Sequence, residues 1–308
     1  MSEVRQRWRI VFARGDEARF LSHLDAVRSW ERAFRRGEIP VATSEGFSPR
    51  SRLVFAAPLQ LGMLAEHELA DLYLAERLTA PGLRARLVES MPCGYAVVEL
   101  HDVWTGAPAL APRLVAADYR MTLLNVEQAR LQPAVERLMA AQELPRERRK
   151  ESRVVRYDLR PLLLDLRAGP PDAGALPPSG ADAAAAGTKS AAGAVAAAGL
   201  WMRLRHSQNL GSGRPDEVVA ALAAELGMRP LAAAGGVDDG EAADGSRGGP
   251  EGQGDASPGA ARPAVVSAGA EPQDDASPGD ASRPAASPHE LETIRPVRER
   301  LWLDDELA

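Results

Sequence analysis

The amino-acid sequence predicts an α+β protein of two tandem ferredoxin-like units, in which each unit has the split βαβ order of elements. Segments with period-two alternation of apolar residues are separated by segments with helical apolar spacing. The order strand, helix, strand, strand, helix, strand occurs within residues 1–112, and the same order begins again at Val115. We therefore expect an N-terminal unit at residues 1–112 and a second unit at residues 113–308.

The first strand is predicted over residues 5–13, because large apolar residues alternate there with arginine. One face holds Trp8, Ile10 and Phe12, and the opposite face holds Arg7, Arg9 and Val11. This alternation is typical of a strand that buries one face and leaves the other in solvent.

The first helix is predicted over residues 23–36. Ser22 and Asp25 stand three residues apart before an apolar run, which is the signature of a helix N-terminus. Leu24 is expected on the buried stripe with the apolar residues that follow at helical spacing. Gly37 is expected to end the helix in the left-handed conformation.

The remaining elements of the first unit follow from alternation and from breakers. Strands are predicted near residues 52–56, 66–75 and 95–103. A second helix opens at Thr79-Ala80-Pro81, where proline suits the first helical turn. Gly62 is expected to break the chain between elements.

The second unit repeats this pattern with interruptions. Strands are predicted at 115–124, 153–167 (one or two), 200–205 and 293–303, and helices at 126–140 and from Pro215 to Gly227. Residues 168–198 and 231–288 consist largely of Ala, Gly, Pro and Ser, with few residues able to form a core. We predict that both are disordered inserts.

Composition narrows the function classes. The net charge is −6, yet residues 5–52 carry eleven Arg against six Asp or Glu, which makes the N-terminal part basic. A single cysteine, Cys93, excludes a disulfide or a multi-cysteine cluster within the chain. No segment has the pattern of an export signal or the apolar length of a membrane span, so a cytoplasmic location without membrane contact is expected.

His23 is the candidate catalytic residue. An imidazole titrates near neutral pH and can serve as a general acid or base. Its place at a helix start, one turn from Val27 on the apolar stripe, also suits a half-buried packing residue or a ligand contact. The sequence leaves these alternatives open.

Two neighbouring segments supply candidate binding residues, which are the helix stripe Arg28, Arg32 and Arg36 and the loop residues Phe47, Arg50 and Arg52. The cations suit a phosphate or an acidic partner. The alternatives are a solvated helix face and a structural Phe47 packed beneath the first helix.

A third candidate is Ser212-Gly213-Arg214, which precedes a predicted helix. Free backbone N–H groups and small residues at a helix start suit an anion. An ordinary strand-to-helix turn has the same composition.

Two strand faces favour RNA. Arg5, Arg7 and Arg9 share one face of the first strand, and Trp201, Arg203 and Arg205 share one face of a later strand. Cations with an aromatic suit single-stranded or folded RNA. A solvated face, or a face that docks the two units, is the alternative.

The runs Phe20-Leu21-Ser22-His23-Leu24-Asp25 and Ser44-Glu45-Gly46-Phe47-Ser48-Pro49-Arg50 carry a resemblance, together with Arg35-Arg36 and with Phe55, Pro58, Leu59 and Gly62. They resemble the radical SAM-linked, or radical SAM-associated, protein family, over roughly residues 5–167 with weaker agreement at 199–230. That family is a domain of unknown function found beside, or fused to, radical SAM proteins. The resemblance implies a radical SAM partner that carries the iron–sulfur cluster and S-adenosylmethionine, with no cofactor in this chain.

The expected function is therefore an accessory or substrate-presenting protein for a radical SAM enzyme, with RNA or the translation apparatus as a candidate target and no catalytic activity of its own. One alternative is a metal-independent RNA-processing enzyme using His23, since the predicted architecture resembles the RAMP-type CRISPR RNA-processing proteins in fold alone. A second alternative is a purely protein-binding module.

Overall fold

The strands and helices are defined in a computed structural model, which describes residues 3–44, 49–150, 153–172, 196–207, 210–231 and 290–306. The strands are β1 (Gln6–Arg14), β2 (Leu53–Phe55), β3 (Leu64–Leu74), β4 (Tyr95–Val103), β5 (Leu114–Leu124), β6 (Pro145–Lys150), β7 (Arg153–Asp158), β8 (Leu163–Gly169), β9 (Ala197–Ser207), β10 (Gly211–Ser212), β11 (Arg229–Pro230) and β12 (Glu290–Leu303). The α-helices are α1 (His23–Arg36), α2 (Ala80–Ser90), α3 (Gln128–Ala140) and α4 (Pro215–Glu225).

Ten of these strands form one mixed sheet, and β6 and β7 form a separate hairpin. In the first half the order is β4, β1, β3, β2, and every neighbouring pair is antiparallel. In the second half the order is β12, β5, β9, β8, again antiparallel throughout. The parallel pairing of β12 with β3 joins the two halves into one sheet.

Two apolar cores lie against this sheet. Trp8, Ile10 and Phe12 of β1 pack against Trp30 and Phe34 of α1 and against α2. The second core joins β5 and β9 to α3 and α4. In the register, Arg300 of β12 lies opposite His67 of β3, and Leu301 points to the second core. The two cores therefore share one face of the sheet, and the other face carries no α-helix among the described residues.

The structure confirms a mixed α and β protein with a large sheet and four described helices. It also confirms α1 with the predicted bounds and β12 as a late closing strand. Of the hairpin formed by β6 and β7, only β7 was predicted. The strand β6 was not, because Pro145–Lys150 is almost entirely charged and carries no apolar alternation. Most of the two predicted inserts, residues 173–195 and 232–289, lies outside the described residues.

Two expectations about α1 are wrong. Gly37 has a φ of −81°, and the left-handed residue is Glu38, with a φ of +48°. Glycine is needed at position 37 because α2 leaves no room for a side chain: a Cβ there would lie 2.6 Å from Ser90 Oγ. Leu24 is not on the buried stripe, since 60% of its surface is exposed, and the stripe begins at Ala26 instead.

Candidate functional site

His23 lies at the first position of α1, where the chain begins its first helical turn. Ser22 caps the helix by accepting a hydrogen bond from the Asp25 backbone N–H at 3.2 Å. Asp25 pairs with Arg28 at 3.5 Å, so its charge is used locally. The exposed His23 imidazole packs edge-on against the Phe55 ring, with 5.6 Å between the ring centroids.

A narrow pocket opens beside His23. Its lining residues are Phe12, Arg14, His23, Ala26, Phe55, Ala57, Leu59, Glu68 and Tyr95. The enclosed part is about 20 Å³, which is room for about one water molecule. The walls are mainly apolar, and the polar groups come from α1 and from three different strands.

Two buried guanidinium groups lie behind this pocket. Arg14 is 4% exposed, and it donates to the backbone carbonyls of Gln60 (2.7 Å) and Met63 (2.7 Å). Arg298 is 3% exposed, and it donates to the carbonyls of Pro58 and Ala57. The segment between β2 and β3 is therefore held by one arginine from each half of the sheet.

Only one of these two cations has a carboxylate partner among the described residues. Glu68 of β3 is 2% exposed and accepts from Arg298 Nε at 2.6 Å and from Arg298 Nη2. No carboxylate lies within ion-pair distance of Arg14 among the described residues. The cluster of Arg14, Glu68 and Arg298 thus has an excess of one positive charge while it is shielded from water.

The pKa values of the surrounding groups follow from this arrangement. Burial lowers the pKa of Arg14, and the nearby Tyr95 opposes that shift only in part. Burial likewise raises the pKa of the Tyr95 phenol, and that of Tyr119 in the second half. Burial also acts against the charge of Arg298, but the Glu68 carboxylate and the Tyr119 side chain together outweigh it and raise the Arg298 pKa.

An exposed apolar rim lies next to His23 along the chain. Phe20 and Leu24 are each 60% exposed, and Phe20 is three residues before His23. The Arg19 guanidinium stacks over the Phe20 ring at 4.6 Å from the centroid. Large apolar side chains that stay in water beside a pocket are typical of a contact surface.

The cationic candidates are placed separately. Arg28, Arg32 and Arg36 are exposed on α1, and Arg36 Nη2 donates to the Ser90 carbonyl at the end of α2 at 2.8 Å. Arg52 stacks over Tyr73 at 4.7 Å. Arg50 is exposed, and its backbone N–H donates to Ser44 Oγ.

Phe47 lies outside the described residues, so its predicted role stays a prediction.

The prediction of a solvent-exposed arginine face on the first strand is wrong for Arg7 and Arg9, whereas Arg5, just before β1, is exposed. Arg7 is 1% exposed, and its Nε donates to Asp71 of β3 at 3.1 Å. Arg9 Nε donates to the other Asp71 oxygen at 3.0 Å. Sequence alternation could not show this, because the carboxylate that pairs with both cations is on the neighbouring strand.

The helix-free face of the sheet carries a series of stacked arginine and tryptophan side chains, which we call the Arg/Trp ladder. Its members in spatial order are Arg167, Trp201, Arg203, Trp302 and Arg300. Carboxylates accompany these cations, since Asp118 binds Arg203 at 2.7 Å and Asp165 pairs with Arg167. Arg205 is exposed at the side, where its Nε donates to the Pro161 carbonyl.

The segment Ser212-Gly213-Arg214 forms the turn into α4. Ser212 Oγ lies 2.9 Å from His206 Nδ1, and the Gly213 backbone N–H donates to the Arg205 carbonyl. A Cβ on Gly213 would lie 3.0 Å from Leu204 Cβ, so this glycine permits close packing. Pro215 supplies no N–H at the helix start, which leaves fewer donors for an anion than predicted.

The buried cluster was missed at the level of sequence. Arg14, Glu68 and Arg298 are separated by up to 284 positions of the printed chain, and each stands in an ordinary strand pattern. Phe55 and Leu59 of the motif were noted, and they line the pocket. The only local signal was the dense Phe20–Asp25 motif. It contains His23, which lines the pocket, but none of the three buried charged residues.

The chain belongs to a bacterial family of uncharacterised conserved proteins, DUF2344, whose family profile matches residues 7–191. No curated protein matches the sequence. A crystal structure of an unknown protein from Galdieria sulphuraria is similar at 13% identity over 71% of this chain and 91% of that chain, with a TM-score of 0.21.

Two further properties concern the described residues alone. Over those ranges, no group of three or more His, Cys, Asp or Glu side chains is arranged to hold a metal ion. No helix there has the length and apolar character to cross a bilayer.

Proposed function

We propose that this protein is an accessory or substrate-presenting partner of a radical SAM enzyme, which itself carries the iron–sulfur cluster and S-adenosylmethionine. The radical SAM part of the proposal depends on the resemblance carried by the Phe20–Asp25 and Ser44–Arg50 runs. The structural observation that supports a protein-binding role is the exposure of Phe20 and Leu24 within the first of these runs.

The physical reason is the cost of leaving these two side chains in water. A fully buried Leu or Phe side chain gains about 1.5–3 kcal/mol relative to an exposed one. Neither residue contributes to the described apolar cores. Burying these two side chains against another protein would therefore contribute to the affinity of that association.

The test is capture of a radical SAM protein of the kind found beside, or fused to, members of the radical SAM-linked family that these runs resemble. We expect purified wild-type protein to retain it and the double variant Phe20→Ser/Leu24→Ser to lose at least tenfold in affinity. Val88→Ser is the matched control, because Val88 of α2 is 64% exposed and lies outside the motif. Equal capture by the double variant and by wild type would overturn the assignment of this surface.

We also propose that each half of the sheet, with its two helices, is a ferredoxin-like unit. The strand orders β4-β1-β3-β2 and β12-β5-β9-β8, antiparallel within each half and with two helices on one face, support it.

RNA binding is the second candidate function, and the Arg/Trp ladder is the observation that favours it. Aromatic rings flanked by guanidinium planes provide stacking surfaces for bases. The paired carboxylates reduce the charge of this face, so we expect stacking to contribute more than phosphate neutralisation.

The RNA candidate is tested by the salt dependence of binding to a single-stranded RNA. Replacing the exposed Arg167 and Arg300 together by Gln is expected to lower the log–log slope by about one unit. Arg137→Gln with Arg156→Gln is the matched control, since both are exposed and lie outside the ladder. An unchanged slope together with an unchanged affinity in the double variant, or no binding of wild type at low salt, removes RNA as a partner of this face.

The RNA-processing alternative depends on His23. If the His23→Ala variant still binds RNA but no longer cleaves it, that result would favour the RNA-processing enzyme. Absence of cleavage by wild-type protein would leave the binding roles, including that of a purely protein-binding module.

A further inference from the structure

We propose that the pocket beside His23 binds a carboxylate group, with Arg14 as its counter-charge. The proposal is independent of the radical SAM partner and of RNA. It concerns the base of the pocket, whereas the protein-binding surface is the Phe20 and Leu24 rim.

The buried cluster of Arg14, Glu68 and Arg298 has more positive than negative charge. Arg14 and Arg298 are both nearly inaccessible to water, and only Glu68 neutralises them. Both Glu68 oxygens bind Arg298. The hydrogen bonds of Arg14 go to neutral groups, the Gln60 and Met63 carbonyls and the Tyr95 side chain, and the charge of Glu68 acts on Arg14 only from beyond ion-pair distance. An ionised group held away from water in this way is stabilised when an opposite charge joins it.

The second step is access. Arg14 is part of the pocket lining, and so is the exposed His23 at the entrance. A ligand can therefore approach Arg14, which has no carboxylate within ion-pair distance among the described residues. The Glu68 carboxylate also lines the pocket, but both of its oxygens bind Arg298. Tyr95, which also lines the pocket, supplies a hydroxyl near Arg14.

The third step is size and polarity. The pocket volume of about 20 Å³ has room for about one water molecule, so it can admit one oxygen of a ligand while the rest of the ligand lies outside that volume. The walls are formed by Phe12, Phe55, Ala26, Ala57 and Leu59. A monoanion on an apolar stem matches both the single excess charge and these walls, and a doubly charged phosphate does not.

The test uses butyrate, butyramide and inorganic phosphate as probes of the full-length protein. We expect butyrate to raise the melting temperature in a saturable manner, because a ligand that binds only the folded state stabilises it. Butyramide has nearly the same shape without the charge and is expected to have at least tenfold weaker affinity. Equal shifts with butyrate and butyramide would overturn the proposal, as would a larger shift with phosphate than with butyrate.

Two variants separate the pocket from general charge effects. Ala26→Leu fills the pocket from α1 without changing any charge, and we expect it to abolish the butyrate shift while the protein still unfolds cooperatively. Arg35→Gln removes an exposed cation of the same helix that is not among the candidate binding residues, and it is expected to retain the full shift. A butyrate shift that survives Ala26→Leu, or that disappears in Arg35→Gln, would contradict binding at this pocket.

Arg14→Met loses hydrogen bonds that hold the β2–β3 segment, so its folding must be measured first. If it folds, saturable butyrate binding is expected to be lost. Glu68→Gln provides the opposite change, since it removes the shared negative charge, and is expected to bind butyrate at least as tightly as wild type. Tighter binding by Arg14→Met than by wild type would refute the assignment of Arg14.

If the pocket proves not to bind butyrate, the proposed function is unaffected. Capture of the radical SAM protein depends on Phe20 and Leu24, and Ala26→Leu leaves both unchanged. Butyrate binding and protein capture are therefore measured on separate variants.

Discussion

Arg298 of β12 and Glu68 of β3 form a buried ion pair across the parallel junction of the two halves, with 2.6 Å between Arg298 Nε and Glu68 Oε1. Residues 230 positions apart in the sequence meet there. The guanidinium also holds the carbonyls of Pro58 and Ala57, so the junction and the β2–β3 segment depend on the same side chain.

The first prediction concerns this pair. Arg298→Met leaves Glu68 charged and buried without its partner, and we expect a loss of about 3–5 kcal/mol in the free energy of unfolding. The double variant Arg298→Met/Glu68→Leu removes both charges and should recover a large part of that loss. Urea unfolding measures both values. A single variant that costs under about 1 kcal/mol would show that the pair does not hold the junction.

The second prediction concerns His206 and pH. Burial, assisted by the charge of Arg298, lowers the pKa of His206 from 6.5 to about 4. The unfolded state therefore binds a proton more readily than the folded state between these values. Stability from this group is fully present above pH 6.5 and is lost as the pH falls toward 4, by roughly 3 kcal/mol in total.

The measurement is urea unfolding of wild type and His206→Gln at pH 7 and at pH 4.5. The difference in stability between the two proteins should shrink at the lower pH. Equal pH dependence in both would exclude His206 as the titrating group.

The third prediction concerns Gly37. An Ala at this position would place its Cβ 2.6 Å from Ser90 Oγ and 3.1 Å from the Arg86 carbonyl, so α1 and α2 would have to separate. We expect a cost of about 1–3 kcal/mol by thermal unfolding. Gly169→Ala is the control, because a Cβ there meets no atom within 4 Å. Similar costs for both variants would show that crowding between α1 and α2 does not determine the effect, because Ala at an unstrained glycine position is not expected to destabilise the protein.

Much of the secondary structure was predictable because it is local. The cap at Ser22, the proline after Thr79 and the alternation in β4 and β5 act within a few residues, and they specify the elements that the structure contains. Apolar periodicity also predicted β1. The charged hairpin strand β6 has no such pattern and was not predicted.

The site was less predictable because its charges are satisfied across strands. Arg7 was assigned to a solvent face, yet Asp71 on β3 pairs with it, and no local pattern relates the two. The same is true of Arg298 and Glu68. Leu24 was assigned to the core from spacing alone, although α1 turns that position outward. Strand register, which the sequence does not state, determines these partners.

The fourth prediction tests the central claim, which is that the Phe20 and Leu24 surface binds a radical SAM protein. The most direct measurement is isothermal titration of the purified radical SAM protein with wild type, Phe20→Ser/Leu24→Ser and Val88→Ser. We predict one saturable association for wild type and Val88→Ser, and at least a tenfold higher Kd for the double variant, because a loss of about 1.4 kcal/mol already gives that factor. An unchanged Kd in a folded double variant, or no association of wild type, would contradict the claim.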